Sequence, residues 1–332
     1  MSKETLAALR ANIRVGYTDK RGPAWWANPE HQDESHYAGP VPEEVARELI
    51  GWEPLEAPVT ATFLSTDGVT TVTDPSKKMY VNPRTMQSVG VTGTRHKAHN
   101  YAETLIDVPE ILADGKLGIG SVGTLSNGGR AFVQYELGEN VDAVRDVKFR
   151  PFLTAATSLD GSLATTFLTG SQVVVCDNTL SIALREGGRG EYRVRHTTNS
   201  RVNVHDARQA LGLIERATEN FQEQVRQLTE EVVTDAKWKR FLEAYVPVPE
   251  KEGHSRTMAQ NKSLELDRMW NHDERVAPWK NSAWGVLAAT NTWYNHSSIV
   301  RNVSRDERRM QKLIDGAFAK SDAATLGILS VV

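Results

Sequence analysis

The pattern of apolar positions predicts a pair of strands near the middle of the chain. Residues 152–158 and 172–176 are strand-like runs, and the second contains three consecutive valines, as in a strand buried on both faces. Turns are predicted between them at Asp160-Gly161-Ser162 and Thr169-Gly170-Ser171, because glycine accepts positive φ. A helix is expected to begin at Leu180, capped by the polar residues before it. The predicted order is strand, turn, strand, cap, helix.

Short apolar runs separated by turn signals predict an antiparallel meander upstream of this pair. These runs are 59–64, 69–73, 79–81 and 88–92. Another strand is predicted at 130–137, and the glycine-rich residues 115–129 are expected to form a loop or a sheet edge before it. Helical spacing predicts helices over 42–51 and 96–117, and it places Ile13 in a short N-terminal helix.

From residue 204 onwards the periodicity is that of helices. The stripe over 204–245 breaks near 229–235, and prolines at 247 and 249 suggest a lobe boundary. Four tryptophans are expected to form the core of this region: Trp270, Trp279, Trp284 and Trp293. The predicted fold class is α+β, an antiparallel meander or hairpin sheet packed by helices, with a helical C-terminal lobe. The predicted divisions are an N-terminal helical arm at 1–58, an α+β core at 59–203 and a helical C-terminal region at 204–332.

Composition and charge narrow the functional classes. The chain has 332 residues, 39% hydrophobic and 24% charged, as in an ordinary soluble protein with a sizeable core. Its formal net charge of −3 does not favour a generally basic nucleic-acid-binding protein, so such a surface must be local. The single cysteine, Cys176, excludes an intramolecular disulfide and is expected to be buried and inert. The expected location is the cytoplasm, since no apolar run resembles a membrane span or a signal region.

Catalytic signatures are lacking. His96-Lys97-Ala98-His99 pairs two histidines, but no carboxylate stands at metal-ligand spacing beside them. There is no Gly-x-Ser-x-Gly elbow and no Cys–His dyad, and Asp160 is expected to be a turn residue. We therefore expect a binding protein without metal or cofactor. An enzyme with a dispersed site is left open, with His96 and His99 as its first candidates.

The most basic segment lies between residues 185 and 201. Its five arginines are Arg185, Arg189, Arg193, Arg195 and Arg201. Tyr192 to His196 alternates like a strand with the basic residues on one side. A basic hairpin of this kind beside a sheet can contact phosphates, and a solvated surface loop is the other interpretation.

Two motifs carry a family resemblance. Thr157-Ser158-Leu159-Asp160-Gly161-Ser162 contains an Asp-Gly-Ser turn, and Val173 to Leu180 contains a Val-Val-Cys-x-Asn-Thr-Leu run. Together with Gly128-Gly129-Arg130-Ala131-Phe132 they resemble the phage/plasmid-like family known as domain of unknown function 932, over residues 51 to about 184. The chain departs from that family at 93–100 and before Asp160, where a histidine often stands. The resemblance implies phage, prophage or plasmid origin and no established activity.

A sheet packed by a helix beside a basic hairpin also resembles, in architecture, phage single-strand annealing proteins of the RecT/Red-beta and Rad type. This resemblance implies an oligomer that holds single-stranded DNA without metal or nucleotide. We expect a phage recombination protein that binds single-stranded DNA and promotes annealing. The expected phosphate contacts are the five arginines with Lys148 and Arg150, and the expected base-stacking residues are Phe132, Tyr135 and Tyr192.

The alternative is a phage accessory protein that binds a host protein, such as a defence or replication factor. Trp25, Trp26 and the acidic residues 30–34 would then form the interface. The two tryptophans also fit a stacking platform for bases or an anchor of the N-terminal region on the core.

Overall fold

The computed structural model of the chain describes residues 13–16, 36–37, 39–66, 68–107, 109, 117–137, 141–142, 147–173, 178–180, 191–197, 219–274, 276–303 and 305–332. The fold is α+β, as predicted. The strands are β1 (Ile13–Gly16), β2 (His36–Tyr37), β3 (Leu55–Ser65), β4 (Gly68–Asn82), β5 (Gln87–Gly93), β6 (Leu117–Leu125), β7 (Arg130–Leu137), β8 (Val141–Asp142), β9 (Lys148–Ser158), β10 (Thr165–Val173), β11 (Asn178–Leu180) and β12 (Glu191–Val194). The helices are α1 (Glu43–Ile50), α2 (219–230), α3 (Asp235–Tyr245), α4 (His254–His272), α5 (Ala283–Thr292), α6 (Arg305–Ile314) and α7 (Ala317–Leu329).

The larger sheet forms the centre of the molecule. In the described residues its order is β11-β10-β9-β7-β6-β1-β2, with β12 also paired to β10 and β8 to β9. All of these pairs are antiparallel except β1 with β2. Antiparallel neighbours follow from the short connections between consecutive strands.

Both faces of this sheet are buried. Successive side chains along a strand point to opposite sides, so each face has its own set of core residues. On one face Tyr135, Leu153 and Phe167 pack with α1 and with residues of the smaller sheet. On the other face Phe132 and Ala156 join a cluster with Ile13 of β1 and Ile314 of α6. A neighbouring cluster on that side contains Phe152, Leu168, Leu313 and Phe318.

The C-terminal helices share their core with one another and with the sheet. Trp238 of α3 stacks on Trp270 of α4, with ring centroids 4.6 Å apart, so the proline-bearing linker between these helices does not separate two cores. Trp284 and Trp279 lie in a cluster with Phe149 of β9. The predicted tryptophan core is confirmed for these positions. No helix within the described residues is both long and apolar enough to cross a membrane.

The smaller sheet has the order β3-β4-β5 and confirms the predicted meander. Strand β5 pairs with β4 only from Lys77 to Asn82. Beyond that point β3 and β4 pair only with each other in the part of the chain that the structure describes, with Val59 opposite Asp74 and Ser65 opposite Gly68. We call residues 59–74 the ribbon.

Glycine misled the sequence prediction at two places. Residues 115–129 were expected to form a loop or an edge, yet β6 lies inside the sheet between β7 and β1. A Cβ atom at Gly120 would lie 2.3 Å from the carboxyl group of Glu136, so this strand needs glycine there. Thr169-Gly170-Ser171 was predicted as a turn and is part of β10, where a Cβ at Gly170 would lie 2.4 Å from the ring of Phe152.

Three other predicted helices differ from the elements in the structure. Leu180 ends strand β11 and does not begin a helix, since Asn178 to Leu180 pair with the end of β10. Ile13 belongs to β1, not to a helix. Within 96–117, residues 101–107 are helical, and Leu117 already begins β6. The proposed division boundaries stay predictions.

Candidate functional site at a histidine stack

Three segments of the chain meet at one end of β9 and β10. The loop that follows β5 carries His96 and His99, and His196 comes two residues after β12. Strands β9 and β10 contribute Thr157 and Thr165, both fully buried. We call the three histidines the histidine stack.

His196 stacks on both other imidazoles. Its ring centroid lies 4.3 Å from that of His99 and 4.9 Å from that of His96, with interplanar angles of 27° and 15°. His99 is only 5% exposed, so this contact fixes the chain after β12 against the body of the protein. Tyr80 contacts His96 at the end of the stack, where its hydroxyl donates to the carbonyl of His96 at 3.3 Å.

A chain of hydrogen bonds joins the two ends of the stack. His196 Nδ1 lies 3.1 Å from the carbonyl oxygen of Lys97, which can only accept, so Nδ1 carries the proton. In the neutral ring Nε2 then accepts from Thr157 Oγ1 at 3.3 Å. Thr157 Oγ1 lies 2.7 Å from Thr165 Oγ1, which lies 2.7 Å from His99 Nδ1. Each hydroxyl has one proton, so the direction runs from His99 Nδ1 through Thr165 and Thr157 to His196 Nε2.

Burial keeps two of these imidazoles neutral. The pKa of His96 falls to about 4, first because burial disfavours the charged form and then because of the charges of His196 and Lys78. Burial also lowers the pKa of His196, although the carbonyls of Lys97 and Leu163 act in the opposite direction. His96 and His196 therefore add no positive charge near neutral pH.

The Asp160-Gly161-Ser162 turn, predicted from the sequence, lies against the stack. Asp160 Oδ1 accepts from the backbone N–H of Ser162 at 2.8 Å, and Gly161 has a φ of +73°. A Cβ at Gly161 would lie 3.5 Å from Thr92 and 3.8 Å from His96. The buried atoms Thr92 Oγ1 and His96 Nε2 have no hydrogen-bond partner among the residues that the structure describes. They are the open polar positions of this site.

Exposed cations lie on the two segments that the stack joins. Arg193 and Arg195 are exposed and alternate with half-buried Tyr192, Val194 and His196, which confirms the predicted strand with its basic residues on one side. Arg95 and Lys97 are exposed in the loop that carries His96. The contact between His96 and His196 therefore brings four cationic positions onto adjoining stretches of backbone.

Three predicted site residues are wrong because they are buried in the sheet. Phe132 is 0% exposed and packs in the cluster with Ile314, so its ring cannot stack on a base. Tyr135 is 1% exposed and its hydroxyl donates to the carbonyl of Leu105 at 2.6 Å. Arg150 is 2% exposed and forms an ion pair with Glu136 at 3.1 Å, so it does not face solvent phosphate. Tyr192 also packs against the core, although it is only half buried.

The remaining predicted residues lie where the structure describes no side chain. Lys148 begins β9, and its side chain is outside the description. The others are wholly outside the described residues: Arg185, Arg189, Arg201, Trp25, Trp26, Cys176 and the acidic residues 30–34. The host-protein interface therefore stays a prediction.

The metal hypothesis for His96 and His99 gains no support in the described part of the chain, where no group of three histidine, cysteine or acidic residues could hold a metal ion. Sequence reasoning missed His196 as the third member of the stack, and it missed Arg95 and Lys97 as neighbours of the basic strand. The His-x-x-His spacing was the available signal, but nothing local shows that its partner lies beyond β12.

Fold and site together define an α+β protein in which stacked histidines hold the end of β12, with its exposed Arg193 and the following Arg195, against the large sheet. The chain belongs to the family described as Domain of unknown function (DUF932), whose model matches residues 88–314. No curated protein and no solved structure matches the chain.

The family resemblance seen in the sequence is thus confirmed, with a different extent. The match begins at residue 88 and not near Gly51, and it continues past Leu184 through most of the C-terminal helices. It includes the whole histidine stack and β12. It leaves out the ribbon. The architectural likeness to phage annealing proteins is not addressed by these comparisons and stays a prediction.

Proposed function

We propose that the protein binds single-stranded DNA and promotes annealing of complementary strands without hydrolysing nucleotide, as part of phage or plasmid recombination. The observation that carries the proposal is the exposed pair Arg193, on β12, and Arg195, directly after it, next to the loop of Arg95 and Lys97. Cations repeated along an extended backbone can contact successive phosphates of a flexible strand.

The histidine stack has a positioning role in this proposal. It ties the chain after Arg195 to buried Thr157 and Thr165, so the cations sit on a fixed strand and not on a loose loop. Fixing these residues before binding reduces the entropy that DNA binding must offset. Because His96 and His196 are neutral, the attraction comes from the arginine and lysine side chains.

Annealing requires no bond chemistry. Neutralised phosphates allow two strands to approach, and bases that face outward stay open to pair. Because the whole chain has a formal net charge of −3, the surface as a whole does not attract DNA. A short basic site can therefore carry the interaction.

The test is binding of labelled oligothymidine, beside the matching duplex, at several salt concentrations. We expect preference for the single strand and affinity that falls as salt rises. In the double variant Arg193→Ala/Arg195→Ala, loss of two phosphate contacts should reduce the slope of log K against log salt by about 1.4. An annealing assay with complementary quenched oligonucleotides should show a matching loss of rate.

The control is Arg226→Ala/Arg268→Ala, which removes the same charge from exposed helix positions that pair with Glu223 and Glu265. It should bind like the natural protein. Unchanged affinity and slope in the β12 variant would remove this strand from any DNA site, and no binding at low salt would reject the function.

A further inference from the structure

The ribbon groups four exposed large apolar side chains that the histidine stack does not explain. Its exposed side chains include Phe63 at 56%, Leu64 at 89%, Val69 at 66% and Val72 at 55%. A two-stranded hairpin without a third strand or a helix over it is marginally stable in water. A ribbon of this length needs a partner surface.

Beyond the Val59–Asp74 pair at its base, both faces of the ribbon are built from cross-strand pairs of neutral residues. One face has the pairs Thr60–Thr73, Thr62–Thr71 and Leu64–Val69, and the other has Ala61–Val72 and Phe63–Thr70. The hydroxyls of Thr62 and Thr71 lie 3.3 Å apart across the strands. Threonine pairs and β-branched pairs of this kind also stabilise contacts between strands of different molecules.

The edges of the ribbon lack the usual protection against pairing. Exposed edge strands are normally blunted by lysine, by proline or by a bulge. Here Pro58, Pro75 and the register shift after Pro58 all lie at the base. From Val59 to Thr73 there is no proline, lysine or arginine. Within the described residues no further strand pairs with the outer edge of β3 over 59–64 or of β4 over 69–73, so these edges can accept another strand.

We propose that the ribbon is a self-association element that pairs with the ribbon of a second copy of this chain. The near absence of charged residues in the ribbon favours a second ribbon as its partner. In the sequence from Val59 to Thr73 the single charged residue is Asp67, so two identical ribbons meet without rows of like charges. The same absence of cations makes the ribbon a poor contact for DNA.

The size of the contact sets its strength. Seven residue pairs at about 3.3 Å each, and two strands at about 4.8 Å each, give a face of roughly 220 Å². A standard stable interface buries about 800 Å² per partner. Ribbon pairing is therefore a weak contact, and the fraction of paired molecules should rise with protein concentration.

This inference goes beyond DNA binding and does not need it. Pairing through the ribbon would join two copies of β12 in one particle. The test is therefore made without DNA, so that failure of either idea is visible separately. Arg193→Ala/Arg195→Ala should self-associate like the natural protein.

The experiment is sedimentation velocity of the full chain from about 1 μM to about 200 μM, a range suited to a weak contact. The natural protein should shift from monomer to dimer. Phe63→Lys/Val72→Lys should stay monomeric, as should Phe63→Glu/Val72→Glu, because like charges then meet at the contact. An equal mixture of the two variants should recover the dimer.

Met258→Lys/Leu264→Lys is the control, since it replaces two exposed apolar residues on α4 and should associate like the natural protein. Unchanged thermal melting will show that each variant is folded, as expected for exposed positions. A natural protein that stays monomeric throughout would overturn the proposal. So would lysine variants that still associate, or a mixture that stays monomeric.

Discussion

His99 and His196 contact each other twice, once through stacked rings with centroids 4.3 Å apart and once through the hydroxyls of Thr165 and Thr157. The ring contact holds the chain after β12 in place. The hydroxyl chain fixes which nitrogen of each ring carries a proton, so His99 should be protonated at Nδ1. Nitrogen chemical shifts of the two imidazoles would show this directly.

Replacing Thr157 by valine should destabilise the fold. Valine keeps the shape of the fully buried side chain and removes the hydroxyl in the middle of the chain. Thr165 and His196 then lose a buried partner, which costs about 1–3 kcal/mol. Urea unfolding measures the change. Thr71→Val, at an exposed position, should stay within about 0.5 kcal/mol. Equal stability of Thr157→Val and the natural protein would contradict the hydrogen-bond chain.

Stability should fall as the pH drops from 6.5 towards 4. The pKa of His96 is about 4 in the folded protein and near 6.5 when unfolded, so the unfolded chain binds the proton more tightly in this window. The contribution is fully present above 6.5 and is lost as pH falls through the folded value. Other charges that act on His96 come from His196, Lys78, Asp160 and Glu56, and the lowered pKa of His196 changes stability in the same direction.

His96→Gln should flatten that pH dependence, since glutamine does not titrate. Urea midpoints at a series of pH values between 7 and 4 measure it. His254→Gln, at the exposed start of α4, should leave the pH profile as it is in the natural protein. A His96→Gln profile as steep as that of the natural protein would show that other groups control acid stability.

Arg150 and Glu136 should behave as a buried structural pair. Their side chains are 3% and 7% exposed. Glu136→Gln should cost about 3–5 kcal/mol, because the guanidinium loses its carboxylate inside the sheet. Pairing it with Arg150→Met should recover part of that loss. Glu265→Gln, from an exposed pair with Arg268, should cost at most about 1 kcal/mol. Chemical denaturation compares the four proteins, and a small loss for Glu136→Gln would refute the assignment.

Gly170→Ala should destabilise the sheet by about 1–3 kcal/mol, because the added methyl would overlap the ring of Phe152. Gly327 is the matched control. It lies exposed in α7 with no atom within 4 Å of an added Cβ, so Gly327→Ala should stabilise by about 0.5–1 kcal/mol. Thermal melting should move in opposite directions for the two variants. A Tm for Gly170→Ala at or above that of the natural protein would place a turn there after all.

Local patterns predicted the meander, β7, β9, β12 and the α+β class, because alternation and turn residues act over a few neighbours. They failed where a glycine leaves room for a side chain that is distant in the sequence. Gly170 makes room for Phe152, and Gly120 makes room for Glu136, and neither partner is near in sequence. The arginine prediction shows the same limit. Arg150 and Arg193 look alike in the sequence, but one is buried beside a carboxylate and the other is exposed on an edge strand.

The cluster that joins Ile13 of β1 to Ile314 of α6 also constrains how the chain can fold. Both residues cover the same face of the sheet, on Phe132 and Ala156. That face cannot be closed on the ribosome until α6 has been synthesised, so earlier intermediates expose it. Contacts of such long sequence separation slow folding. The growing chain should therefore depend most on chaperones late in synthesis, after the sheet strands have been made.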